Sequence, residues 1–232
     1  MKNYFTILGS GSSLGVPRID GNYGSCNPNN PKNNRTRCCA HIKFNDINVL
    51  IDASPDIRTQ LISNKIRDVN HVFFTHAHAD QCHGINDLRA FYIKYQNKLN
   101  VYADPNTKKH LISSFGYCFN DKPGYPSILK MNILKKKYVF KAKKNKLIIE
   151  SIMTQHGYIK SASYIINKKI FYGSDVSKIF NKDIKKLYNL NYFIVDCLRY
   201  EPHPSHFNLD QVLNFIKIIN PKKLFLQTYK AA

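Results

Sequence analysis

The sequence predicts an α/β (α+β) protein built as a sandwich of β-sheets with helices on its outer faces. Three observations predict it. Residues 39–74 read strand, turn, strand, helix, strand, which contains the order of a βαβ unit. Residues 128–173 are a run of short apolar segments separated by turns, the pattern of consecutive strands. Residues 177–226 alternate helix and strand again, and no internal repeat interrupts the order.

Each element has a local reason. Residues 4–8, Tyr-Phe-Thr-Ile-Leu, form a first strand. The small residues of Gly9-Ser10-Gly11-Ser12-Ser13 follow; their spacing matches neither phosphate-binding glycine pattern, so they are expected to let the backbone pass close to something, such as a metal cleft. Residues 20–36 are a long loop rich in Asn, Pro and Gly. Strands at 39–44 and 49–52 flank a turn at Asn45-Asp46. Ser54 then reads as an N-cap with Pro55 in the first helical position, and Ile57, Leu61 and Ile62 make the apolar stripe. A strand at 71–74 leads into a His-rich turn. Residues 84–95 read as a helix with Ile85, Leu88, Phe91 and Tyr92 inward. A strand at 99–102, a helix at 106–115 and an irregular connection at 116–127 come next. Strands are expected at 128–133, 138–140, 147–153, 162–166 and 170–172, then a helix near 177–188 and a strand at 192–195. The helix at 208–219 carries Asn208 and Gln211 at capping-box spacing, and 223–226 is the last strand.

The totals bound the rest. At 232 residues with 43% hydrophobic side chains, a single domain over 1–232 with a sizeable core is expected. No apolar run approaches the ~18 residues of a membrane span, and the N-terminal apolar run is too short for a secretory signal. No membrane partner and a cytoplasmic location follow as expectations. Six Cys without a C-x-x-C pair then read mostly as small buried residues rather than disulfides. The formal net charge of +20 admits nucleic acid as a partner. Its densest run, 130–146, has few interleaved aromatics and reads more simply as a solvated hairpin face.

The chemistry concentrates in Thr75-His76-Ala77-His78-Ala79-Asp80-Gln81-Cys82-His83-Gly84. Three of the nine His of the chain fall between 76 and 83, with one carboxylate, directly after an apolar strand. His76, His78 and Asp80 alternate, so an extended chain would point them the same way. Imidazoles and a carboxylate are the donors a borderline-soft divalent ion takes. Further His or Asp residues follow predicted strands at His156, at Asp175, and at His203 and His206.

Together these residues resemble the metallo-β-lactamase fold, whose hallmark is H-x-H-x-D-H followed by a distant His, an Asp and a last His. The resemblance is strongest to the branch of the phosphonate-pathway (phosphoribosyl) cyclic phosphodiesterase, and more distant to ribonuclease Z and the pyrroloquinoline quinone biosynthesis member. It is carried by Gly9 to Ser13 with Val16-Pro17-Arg18, by Arg35-Thr36-Arg37, by Ile51 to Arg58, by Thr75 to Arg89, and by His156-Gly157, Gly173-Ser174-Asp175 and His206 to Leu209. It implies a four-layer αβ/βα sandwich holding one or two Zn2+ or Mn2+ ions. It implies that His76, His78 and His156 hold one ion, that Asp80 helps hold a second, and that Asp175 bridges them. A bridged hydroxide would attack phosphorus, with His206 as general acid and His203 a lesser candidate beside Asp80 in the catalytic set. Asp52 and Gln81 would stand behind the ligands and orient the turn.

This sequence departs from the family pattern in three places. Gln81 replaces the sixth motif His, so His83 is the expected substitute metal ligand. The loop at 21–26 keeps a single Cys, Cys26, so no structural zinc is expected there. No His follows 206, so the C-terminal end reads as shortened and the activity as placed in doubt. The expected function is a metal-dependent hydrolase of a small or cyclic phosphodiester. The alternatives are a ribonuclease Z-like nuclease, or a truncated, inactive basic binding protein that retains the fold. A homodimer is left open as its assembly.

Overall fold

A computed structural model describes residues 3–142 and 145–227. The described residues of 1–9 with 37–134 form one compact unit, and those of 10–36 with 135–232 form another. The Lys143-Lys144 pair of the basic run and the 228–232 tail lie outside the described residues.

The first unit is built on a six-stranded sheet in plain sequence order. Strand β1 (Tyr4–Gly9) pairs antiparallel with β2 (Cys39–Phe44), which turns back at Asn45, in the left-handed region at φ 54°, into β3 (Ile47–Ile51). Asn accepts that backbone because its short polar side chain tolerates it. Helix α1 (Ile57–Ser63) crosses to β4 (His71–Phe73), parallel to β3. Ser54 does not cap α1. Asp56 stands at the cap position, Ser54 Oγ accepts the Asp56 amide at 3.3 Å and donates to Gln60 at 3.1 Å, and the Asp56 carboxylate is taken by Arg37 at 2.6 and 2.9 Å. The short helix α2 (Ala79–Cys82) then holds the His-rich turn. The predicted helix over 84–95 is split into a 3-10 turn over Ile85–Leu88 and α3 (Arg89–Tyr95). The split follows from an anchor: the Gly84 amide donates to Ala53 O at 2.8 Å before the helix starts.

Strand β5 (Leu99–Ala103) runs parallel to β4, and α4 (Pro105–Ser114), capped by Asp104, leads to α5 (Gly116–Phe119) and β6 (Leu129–Ile133). The core of this unit gathers Leu50, Val72 and Phe74 of the sheet region with Ile57, Ile85, Leu88 and Leu111 of the helices.

The second unit has its own six-stranded sheet, again in sequence order. Strands β7 (Lys137–Ala142), β8 (Asn145–His156), β9 (Ile159–Ile166) and β10 (Ile170–Gly173) are successive antiparallel neighbours. Burial alternates along β7, with Lys137, Val139 and Lys141 exposed. Helix α6 (Asn181–Ile184) and a 3-10 turn replace the longer helix expected near 177–188. The cause is backbone pairing: Ser177 N donates to Gln155 O at 2.7 Å, and Gln155 N donates to Lys178 O at 2.9 Å. Strand β11 (Tyr192–Asp196), α7 (Leu209–Ile219) and β12 (Lys223–Gln227) finish the unit, with β11 parallel to both β10 and β12. Phe171, Phe193, Val195, Leu187 and Val212 form its core.

The loop 10–36 belongs to this second unit. A Cβ at Gly11 would stand 2.7 Å from Arg35 O, and the Gly11 amide donates to Thr36 O at 2.8 Å. The close approach at Gly11 is thus to the returning backbone of its own loop. Among the described residues, no helix is long and apolar enough to cross a membrane.

Candidate metal centre

The first unit places its donors at the end of β4. His76 is buried and His78 exposed, and their rings stand 4.5 Å apart, nearly edge to face. Asp80 does not continue that extended stretch. It lies in the first turn of α2 with its carboxylate mostly buried, and Gln81 Nε2 donates to it at 3.2 Å.

A carboxylate behind the turn fixes its geometry. Asp52 directly follows β3, with φ at 66°, and is fully buried. It accepts the Thr75 amide at 2.7 Å and the Thr75 hydroxyl at 2.9 Å. The hydroxyl has one proton and gives it to the carboxylate. The contact of 3.0 Å between Thr75 Oγ1 and His76 Nδ1 is then made by an Nδ1–H donating to oxygen. His76 is left with the lone pair on Nε2, the nitrogen suited to a metal. Backbone bonds hold the path from the other side: Ala53 N donates to Gln81 O at 2.8 Å, and a Cβ on Gly84 would meet Ser54 O at 2.0 Å.

His83 follows α2 in sequence but is not directed by Asp52. Its ring stands edge-on to Phe115 at 5.4 Å, and its donor nitrogen shares a 4.8 Å cluster with Cys82 Sγ and a nitrogen of His110. Burial, with the nearby carboxylates of Asp52 and Asp80, pushes the Cys82 thiol up to about 12.

The second unit brings together three more predicted residues. Donor atoms of His156, Asp175 and His206 lie within 4.8 Å of one another. His156 is the last residue of β8, and its Nδ1 donates to Ser205 O at 2.7 Å, which again leaves the lone pair on Nε2. Asp175 follows β10, with Oδ1 3.6 Å from His206 Nδ1. His206 Nδ1 lies 2.5 Å from Asp196 Oδ2, and Asp196 is fully buried at the end of β11, where it also accepts the Val176 amide at 3.1 Å. His203 accepts the Ser205 amide on its own Nδ1 at 3.2 Å, so it caps the turn that carries Ser205 and His206.

Asp196, Thr75 and Ser205 were not singled out from the sequence. Asp196 had a readable signal, a carboxylate closing an apolar strand as Asp52 does. Thr75 and the Ser205 carbonyl had none, because their roles depend on where the neighbouring imidazole turns.

Imidazole nitrogens with fixed tautomers beside carboxylates are the donor set of a borderline divalent ion, so these residues fit such an ion. The same set can hold a protonated imidazole, since Asp196 favours the charged form of His206.

The beta-lactamase superfamily domain matches residues 47–227. An octanoyltransferase of Porphyromonas gingivalis is 31% identical over 226 residues, covering 95% of this chain and 44% of that protein. The chain therefore spans less than half the length of that curated relative. A diphosphatase of the PhnP family superposes over 99% of this chain and 87% of its own, with a TM-score of 0.87 and 25% identity. The short form of human tRNase Z covers 98% of this chain and 93% of its own at a TM-score of 0.71 and 14% identity. With two sheets flanked by helices and a matching model over most of its length, the chain belongs to the metallo-β-lactamase superfamily.

Proposed function

We propose that the chain is a metal-dependent hydrolase of small or cyclic phosphodiesters. In this reading His76, His78 and His156 would hold one divalent ion, and Asp80 and Asp175 would contribute to a second. The observation that carries it is the Asp196–His206 pair set against Asp175 and His156. A carboxylate-backed imidazole beside metal-type donors is suited to act as general acid to a leaving oxygen.

A divalent ion, zinc or manganese, would supply charge to a phosphoryl oxygen and acidify a water. The protein's own residues do the rest. Asp52 through Thr75, and the Ser205 carbonyl, fix which nitrogens His76 and His156 present. Asp196 accepts the Nδ1–H of His206 and stabilises the imidazolium, whose Nε2–H is the proton given to the departing alkoxide. The diphosphatase likeness makes a diphosphate bond the second substrate class to assay, and the tRNase Z likeness with the +20 charge makes RNA the third.

The test is metal analysis with turnover. The metal-loaded chain should hydrolyse bis(p-nitrophenyl) phosphate, and His76→Ala with His78→Ala should lose at least one equivalent of metal and the activity together. Wild-type metal content in the double variant would remove the site assignment. No turnover of any of the three substrate classes by a metal-loaded sample would remove the enzyme. Cleavage of precursor tRNA alone would favour the nuclease.

A further inference from the structure

The geometry points to a second, separate transition-metal site in the first unit, made by Cys82, His83 and His110. The three donor atoms lie within 4.8 Å of one another. A tetrahedral zinc with bonds of about 2.0–2.3 Å needs donors about 3.3–3.8 Å apart, so small side-chain rotations close the cluster around an ion.

Two observations beyond proximity support a ligand. His110 Nε2 is buried and has no hydrogen-bond partner in the described structure, an arrangement that leaves a desolvated nitrogen uncompensated. The ring opposite it, His83, is exposed, which gives an ion a path from solvent. Among the described residues, the Cys82 thiol makes a long contact, 3.6 Å, to Ala77 O. A thiolate with two imidazoles suits a thiophilic borderline ion, zinc in preference to magnesium or calcium. On binding, the S–H bond breaks, the sulfur lone pair goes to the ion, and the proton leaves to solvent. The metal is then the only new component.

The placement gives the site a role. Cys82 closes α2 and His83 caps it, whereas His110 comes from α4. An ion would tie the helix that carries Asp80 to the helix beyond β5. Three protein donors leave one coordination position for water or an exchangeable ligand.

Cobalt distinguishes this site from the His and Asp donors described above, because only a thiolate gives an intense sulfur-to-cobalt absorption in the near ultraviolet. The purified chain titrated with Co2+ should show that band at one equivalent. Cys82→Ser and His110→Gln should each abolish it or weaken its affinity at least tenfold, with the remaining cobalt still bound at the other donors. His110→Gln leaves the buried thiol position untouched, so it tests the site even if Cys82→Ser does not fold. A wild-type chain without the band, or a band that survives Cys82→Ser, overturns the proposal.

Discussion

In the proposed mechanism, Asp196 is the residue on which the acid chemistry of His206 turns. A neutral replacement keeps the shape and removes the charge, so Asp196→Asn should lower kcat by about 10–100-fold with KM little changed. The carboxylate stabilises the imidazolium, so its loss lowers the pKa of the acid, and the alkaline limb of the pH–rate profile should move to lower pH. An unchanged profile would show that Asp196 is only structural. Asp52 and Asp196 were unequally legible, although both end buried apolar strands. Asp52 sat beside residues that carried the family resemblance. Asp196 precedes Cys197 and Leu198, with nine residues between it and His206, and only the folded turn closes that gap.

At the scale of elements, α7 shows what sequence reads well. Asn208 accepts the Gln211 amide at 3.0 Å and the Gln211 side chain accepts the Asn208 amide at 3.0 Å, the reciprocal bonding expected from the spacing. Asn208→Ala should therefore cost about 1 kcal/mol, read as a shift in urea midpoint. Helices whose ends are set by distant backbone were not legible. The 3-10 turn at Ile85–Leu88 is dictated by the bond from Gly84 to Ala53, and the late start of α6 by the pairing of 177–178 with Gln155. Neither partner is local, so periodicity alone ran the helices on. Strands were found nearly everywhere, since their apolar cores are local, but their ends moved. β8 in particular runs on to include His156, beyond the apolar stretch that ends at Met153.

Over the whole molecule, two units each carry one complete sheet and one core. The first unit has an acid weakness. Burial holds the imidazoles of His41 and His71 down to about 4 from the usual 6.5. Between those values the unfolded chain binds more protons than the folded one, so the contribution is full above about 6.5 and is lost as pH falls toward 4. Each imidazole can account for about 3 kcal/mol as an upper limit. Melting midpoints should fall from pH 7 to pH 5, and His41→Gln should flatten that fall. A parallel slope in the variant would place the weakness elsewhere. The division into units also bears on how the chain is made. All six strands of the first sheet lie within the first 133 residues, whereas the loop at 10–36 belongs with strands that begin at Lys137. Synthesis from the N-terminus thus delivers the first sheet whole while that loop still has no home. The ribosome therefore delivers His76 and His78 before His156.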